Sequence, residues 1–158
     1  MVVPGVGAFA ACMAGLEAVN AREILQKRIA SGRPVLGICV GMQVLFSAGI
    51  EHGIESEGLG VLDGRVELLQ APILPHMGWN TITPPAGSVL FAGLDPQTRF
   101  YFVHSYAVHD TAGLVTTAHH GEDFVAAVEH GVVSATQFHP EKSADAGAVV
   151  LSNWLATL

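Results

Sequence analysis

Gly37-Ile38-Cys39-Val40-Gly41 closes a short apolar run and opens into Met42-Gln43-Val44-Leu45-Phe46, and His139-Pro140-Glu141 stands near the far end of the chain. The first segment has the form of a nucleophile elbow with cysteine in place of serine. A sharp turn from strand to helix is crowded and strained, so it needs small residues on both sides of the nucleophile. The second segment supplies a base and a carboxylate. In an extended strand, positions two apart face the same way, which puts His139 and Glu141 on one side. A carboxylate beside an imidazole fixes its tautomer and stabilises imidazolium, and that charge favours a thiolate at Cys39. Together the three residues have the composition of a Cys-His-Glu triad. The competing reading of Cys39 is a small buried hydrophobe, which is how Cys12 in Ala10-Ala11-Cys12-Met13-Ala14 reads. Sequence order by itself does not bring the two segments together in space.

The elements that must position these residues follow from pattern. Met1-Val2-Val3 reads as the end of a strand and Pro4-Gly5-Val6-Gly7 as a turn. Ala8 to Leu16 and Ala21 to Ala30 read as helices broken near Asn20. Pro34 to Ile38 is a short apolar strand, and Met42 to Ala48 a helix ended by Gly49. Gly60 to Leu62 and Gly64 to Leu69 read as strands joined by a hairpin at Asp63-Gly64. Pro75 to Asn80 reads as a loop, followed by a short strand at Thr81-Ile82-Thr83. Phe100 to Val108 alternates like a single strand. Leu114 to Ala118, Val125 to Glu129 and Val132 to Phe138 continue a β-rich half. Ala146 to Leu158 closes with a helix whose core stripe is Val149, Val150, Trp154 and Leu155. Helix–strand alternation early and hairpins later predict a three-layer α/β fold with a mixed central sheet. Active sites in such sheets lie at the carboxyl ends of strands, where both Cys39 and Pro4-Gly5-Val6-Gly7 fall.

The 158 residues suit one domain, 1–158, with a proper core. Half of the residues are hydrophobic and 13% are charged. The net charge of -7 argues against a nucleic-acid partner. No apolar stretch has the length of a membrane span, and Met1-Val2-Val3-Pro4 has no basic leader, so no signal peptide is expected. Two cysteines in unlike contexts argue against a disulfide scaffold and suit a reducing cytoplasm. Eight histidines, including His119-His120, invite a metal, but their spacings match no compact ligand set. The start itself is unusual: an apolar strand feeds straight into a functional loop with no βα unit before it. A fragment, or a start codon assigned too far downstream, is the expectation.

Five segments in order carry a resemblance. Gly37-Ile38-Cys39-Val40-Gly41-Met42-Gln43 and His139-Pro140-Glu141 resemble the class I, or triad, glutamine amidotransferases. Pro4-Gly5-Val6-Gly7-Ala8-Phe9, Pro75-His76-Met77-Gly78-Trp79-Asn80, Tyr101-Phe102-Val103-His104-Ser105-Tyr106 and His139-Pro140-Glu141-Lys142-Ser143 narrow it to the glutaminase subunits of imidazole glycerol phosphate synthases. The resemblance covers the whole chain. It departs at the amino end, where the family carries a strand, a helix and a second strand before the Pro-Gly-Val-Gly turn. Their loss would expose a sheet edge.

The resemblance implies a role for each matching residue. Cys39 attacks the side-chain amide of glutamine and becomes a glutamyl thioester. His139 passes the proton to departing ammonia and then activates water, and Glu141 orients His139. Backbone N–H groups of Val6 or Gly7 and of Val40 form the oxyanion hole, with a peptide flip at the glycines switching it on. Gln43 and Glu51 hold the α-amino and α-carboxyl region of the substrate, with backbone contacts from Ser105 and Tyr106. Trp79, Tyr101 and Lys142 fall at the interface with a cyclase subunit, a (β/α)8-barrel synthase that takes the ammonia in a cytoplasmic heterodimer of histidine biosynthesis. No cofactor is implied.

Without the family, Gln43 reads equally as a solvated helix residue and Trp79 equally as a core aromatic, whereas Glu51 reads first as a surface-turn residue, Tyr101 and His104 as satisfied strand residues and Lys142 as a solvated lysine. Other readings of the chain are the glutaminase of another class I amidotransferase, such as that of pyridoxal phosphate synthesis, an inactive interaction domain, a metal protein, or a cysteine variant of a serine hydrolase. Met77-Gly78-Trp79-Asn80 and Glu141-Lys142-Ser143 speak against the first. The His-Pro-Glu order, two apart, speaks against the last.

Overall fold

The computed structural model describes all residues, 1–158. In chain order the elements are β1 (Val2–Gly5), α1 (Phe9–Ala18), α2 (Ala21–Ala30), β2 (Val35–Cys39), α3 (Val40–Gln43), β3 (Phe46–Glu51), β4 (Ile54–Glu57), β5 (Leu62–Leu68), β6 (His76–Thr81), β7 (Arg99–His104), β8 (Tyr106–Val108), β9 (Leu114–His120), β10 (Glu122–His130), β11 (Val133–Thr136) and α4 (Ala144–Leu155). One 3-10 turn, Pro140–Lys142, precedes α4.

The run Val35-Leu36-Gly37-Ile38-Cys39 is buried along its whole length, as a strand covered on both faces must be. It sits inside a five-stranded mixed sheet of order β1-β2-β11-β10-β9. β1, β2 and β11 are parallel, and β11, β10 and β9 are antiparallel. The register aligns Gly5 with Cys39 and Thr136 with Ile38. Three adjacent parallel strands therefore release their chains at one edge: the Gly5-Val6-Gly7 turn, the Cys39 elbow and the Gln137-Phe138-His139 segment. This register brings the distant segments of the sequence together, at the carboxyl edge where α/β sheets place their ligands. A four-stranded sheet, β4-β3-β5-β8, and the ribbon β6-β7 complete the molecule. One continuous core joins them. Its aromatic centre packs Phe91, Phe100, Phe102, Phe124 and Phe138 edge-on and tilted, with ring centroids 4.4–6.1 Å apart. Burying one such ring stabilises the fold by about 2–3 kcal/mol.

The first two helices and the break at Asn20, which is left-handed at φ 53°, match the pattern. Other expectations are corrected. The helix predicted over Met42 to Ala48 stops at Gln43, and Phe46–Glu51 is strand β3. Its partner is β4, reached through His52-Gly53 with φ of 51° and 77°. Two positive φ values in a two-residue loop match the right-handed twist of the flanking strands. Asp63-Gly64 does not turn a hairpin. It lies inside β5, where the β3–β5 register shifts and Gly64 takes φ 135°; a bulge, not a reversal, uses this glycine. The predicted loop Pro75 to Asn80 is mostly β6, paired to β7 from His76↔His104 to Thr81↔Arg99. Thr83 makes only an isolated bridge, to Thr117. The single strand predicted over Phe100 to Val108 is divided at Ser105, with β7 in the ribbon and β8 in the four-stranded sheet. In α4, Val150 and Trp154 are buried as expected and Gly147 joins them, while Val149 is only half-buried and Leu155 is exposed.

Candidate active site

Cys39 is the last residue of β2 and the N-cap of α3, at φ 55° and ψ -117°. A non-glycine residue held there costs on the order of 1–3 kcal/mol and persists only when its surroundings enforce it. The neighbouring glycines show how. A Cβ on Gly41 would stand 1.8 Å from the Val3 carbonyl oxygen. One on Gly37 would stand 2.8 Å from the Gly41 oxygen, and one on Gly5 2.6 Å from the Gly41 nitrogen. The elbow and the end of β1 thus approach backbone to backbone, and any side chain would push them apart.

His139 is buried and follows β11 by a short extended segment. Pro140 then begins the 3-10 turn, as suits its fixed φ. This turn, not the pleat of a strand, brings Glu141 Oε1 to 2.6 Å from His139 Nδ1, which corrects the geometry expected from the sequence. With Nδ1 donating to the carboxylate, Nε2 is the ring nitrogen left for chemistry. The loop is held by Ser143, which is fully buried. Its hydroxyl donates to the His139 carbonyl (2.7 Å) and accepts from the Tyr101 N–H (3.0 Å). The His139 N–H donates to the Tyr101 carbonyl (3.0 Å).

A cleft of about 240 Å³ is lined by Val6, Gly7, Cys39, Val40, Gln43, Glu51, Ser105, Tyr106 and His139, together with Val103 and His104. Cys39 and His139 share it without a hydrogen bond between them. Burial pushes the Cys39 thiol up to about 11, with the Val40 N–H pulling weakly the other way. Burial therefore works against the thiolate that a neighbouring imidazolium would favour. Val6 is exposed, and its carbonyl accepts from the Cys12 thiol at 3.3 Å, so Cys12 is a tether of this turn as well as a packing residue.

The predicted substrate groups are partly committed to the fold. Glu51 Oε2 accepts from the Phe9 N–H at 3.0 Å and so caps α1 from a distance. Buried Gln43 gives its amide hydrogens to the Tyr106 carbonyl (3.0 Å) and to Gln137 Oε1 (2.9 Å). Its own carbonyl oxygen is left for a ligand's ammonium. The Ser105 carbonyl is taken by the Leu69 N–H. Gln137 was not foreseen; it is 1% exposed and its Nε2 lies 3.9 Å from Cys39 Sγ. Its one signal in the sequence is a large polar residue inside the apolar run Val132 to Phe138. Ser143 and His76 were likewise not singled out.

Trp79, Tyr101 and Lys142 stand outside the cleft. Trp79 is 51% exposed and packs edge-to-face on Tyr101, its register partner, at 6.1 Å. Met77, 61% exposed, extends this face and was not foreseen. Lys142 is exposed on the 3-10 turn.

The family model described as glutamine amidotransferase class-I matches residues 1–157. The chain is 62% identical over 167 aligned positions to the imidazole glycerol phosphate synthase subunit HisH of Nocardia farcinica, spanning 100% of this chain and 79% of that one. It is 61% identical over 168 positions to the subunit of the same name from Streptomyces avermitilis, spanning 100% and 78%. Among solved structures, a glutamine amidotransferase crystal structure superposes with a TM-score of 0.72 at 20% identity, over 99% of this chain and 77% of that one. PurLQS from Thermotoga maritima superposes at 0.66 and 19% identity, over 98% and 78%. At such identities these structures speak for the fold, and the HisH relatives speak for the branch. The chain belongs to the class I glutamine amidotransferases and, within them, to the HisH subunits of imidazole glycerol phosphate synthase.

Proposed function

We propose that this chain is the glutaminase subunit of an imidazole glycerol phosphate synthase, hydrolysing glutamine and delivering the ammonia to a (β/α)8-barrel synthase subunit of histidine biosynthesis. The observation that carries this reading is the placement of Cys39, His139 and the Val6-Gly7 turn around one cleft, with Glu141 hydrogen-bonded behind His139. Burial favours the neutral thiol, and in this reading the Cys39 proton passes to His139 Nε2 as sulfur bonds to the glutamine amide carbon. Glu141 stabilises the imidazolium formed. The oxyanion is met by the Val40 N–H and by the turn at Val6 and Gly7. The imidazolium gives its proton to the leaving nitrogen, and ammonia departs as the glutamyl thioester forms. Water, deprotonated by His139, then attacks the thioester, releasing glutamate and restoring the thiol. Gln43 and Glu51 hold the backbone end of glutamine.

Ammonia protonated in bulk water is no nucleophile, so a direct route to the second subunit is chemically required. Trp79, Tyr101, Met77 and Lys142 form the face we assign to that partner. An exposed tryptophan packed on a half-buried tyrosine, with a methionine and a cation, has the composition of an interface centre. The same Tyr101 whose ring is on this face holds His139 through its backbone, so docking there bears on the base. The test is glutamate release from glutamine by the chain with and without the barrel subunit and its nucleotide ligand. Release that rises at least about tenfold with the liganded partner is expected, since assembling the site on binding is worth one or more factors of ten. Equal release in both arms, or none in either, contradicts the reading.

A further inference from the structure

A run of hydrogen bonds crosses the molecule from the Trp79 ribbon to the nucleophile, and the triad chemistry does not use it. His76 on β6 and His104 on β7 are both buried and stand opposite each other in register. Asn80 Nδ2 lies 3.2 Å from His76 Nε2, His76 Nδ1 lies 2.9 Å from His104 Nε2, and His104 Nδ1 lies 3.0 Å from the Tyr106 carbonyl oxygen. The proton positions are determined from the far end. A carbonyl only accepts, so His104 carries its proton on Nδ1 and its Nε2 is an acceptor. His76 must then donate from Nδ1, which leaves its Nε2 to accept from Asn80. Every donor meets an acceptor, and all donate in one direction.

The run continues past Tyr106. Its carbonyl also accepts from Gln43, whose second amide hydrogen goes to Gln137, the residue 3.9 Å from Cys39 Sγ. We propose that His76 and His104 are positioning residues for glutamine hydrolysis: as neutral Nδ1–H imidazoles they fix the Tyr106 carbonyl and, through it, the rotamer in which Gln43 turns its own carbonyl oxygen to the substrate. This rests on the glutaminase reading of the cleft. The chain holds only with both rings neutral, because an imidazolium has no lone pair for the donor beside it. Burial supports this, lowering His76 to about 4 and His104 to about 3 from an ordinary 6.5. Neutrality also serves the triad. A charge on His104 would oppose the imidazolium at His139, which lies within its electrostatic reach. The other titratable ring against His76 is His120, stacked at 4.2 Å and bonded to the Ile73 carbonyl, beside the apolar rings of Phe102 and Phe124.

The first test is nitrogen NMR of the full chain labelled with 15N-histidine at neutral pH. Nδ1–H tautomers at both His76 and His104 are expected, and an Nε2–H tautomer or a charged ring at His104 overturns the proposal. The second is glutamine kinetics of the complex with the barrel subunit. His104→Phe removes the hydrogen bond to Tyr106, whereas His104→Asn keeps an amide donor in the Nδ1 position. His104→Phe should raise KM for glutamine about tenfold, the effect of one buried hydrogen bond left unmade, and His104→Asn should recover most of it. Turnover of the synthase with free ammonia should be unchanged in both. A KM in His104→Phe within about twofold of the parent, or no recovery by Asn, contradicts the proposal. The tautomers are read on the unaltered chain. They stand whether or not His104→Phe folds, and whether or not the glutaminase reading survives.

Discussion

Burial at the end of β2 pushes the Cys39 thiol up to about 11 from an ordinary 9.0 and so favours its neutral form. For an acid, the neutral form is the one favoured, so reactivity toward an alkylating agent should keep climbing with pH well past the ordinary cysteine range. Without glutamine, alkylation of Cys39 by iodoacetamide, followed by mass spectrometry, should rise about tenfold per pH unit from about pH 7 to about pH 10. A plateau below about pH 8 would show a preformed thiolate and contradict the general-base order of events. The candidate triad residues stood out in the sequence because their signals are local: glycines flanking a cysteine, and a histidine two residues from a carboxylate. The protonation state was not legible. It depends on how deeply the elbow is buried, and that is set by strands distant in sequence. Gln137, Ser143 and the His76–His104 pair were hidden for the same reason, since each acquires its role from a partner on another element.

At the scale of elements, the close approach of β1 to the elbow carries the strain at Cys39. Gly41→Ala places a methyl group 1.8 Å from the Val3 carbonyl oxygen, which backbone movement alone can relieve. Overpacking of this kind costs about 3 kcal/mol at the upper end of its usual range. For a chain of this size that is a fall of roughly 6–12 °C in the unfolding midpoint, measurable by calorimetry. A midpoint within about 2 °C of the parent would mean that the elbow tolerates a side chain and that its strain is not enforced by packing. The two amino-terminal helices and the buried strand β2 were readable from periodicity. The errors gathered where glycine, proline and asparagine suggested turns. Gly64 serves a bulge inside β5, and Gly78 at φ 132° sits within β6, so residues that break strands locally were overridden by cross-strand pairing. β3 was mistaken for the continuation of a helix because its apolar content follows directly on Val40–Gln43, and periodicity does not separate short apolar runs.

At the scale of the whole molecule, the sheet order makes the site. β1, β2 and β11 are adjacent and parallel, so chain segments about a hundred residues apart leave the sheet side by side. Order along the sequence did not disclose that adjacency, although the mixed α/β class did follow from alternation of elements. The ribbon β6–β7 sits across this edge with Tyr101 bonded to the His139 loop, and its exposed Trp79 lies on the assigned partner face. The central claim is that one of the two cysteines is the nucleophile of a glutaminase. A diazoketone analogue of glutamine, which alkylates the thiol that attacks it, tests this in the complex with the liganded barrel subunit. Peptide mass spectrometry should find a single adduct, on Cys39, blocked by excess glutamine and lost together with glutamate release in Cys39→Ala. An adduct on Cys12 instead, or Cys39→Ala releasing glutamate at the parental rate, would contradict the account.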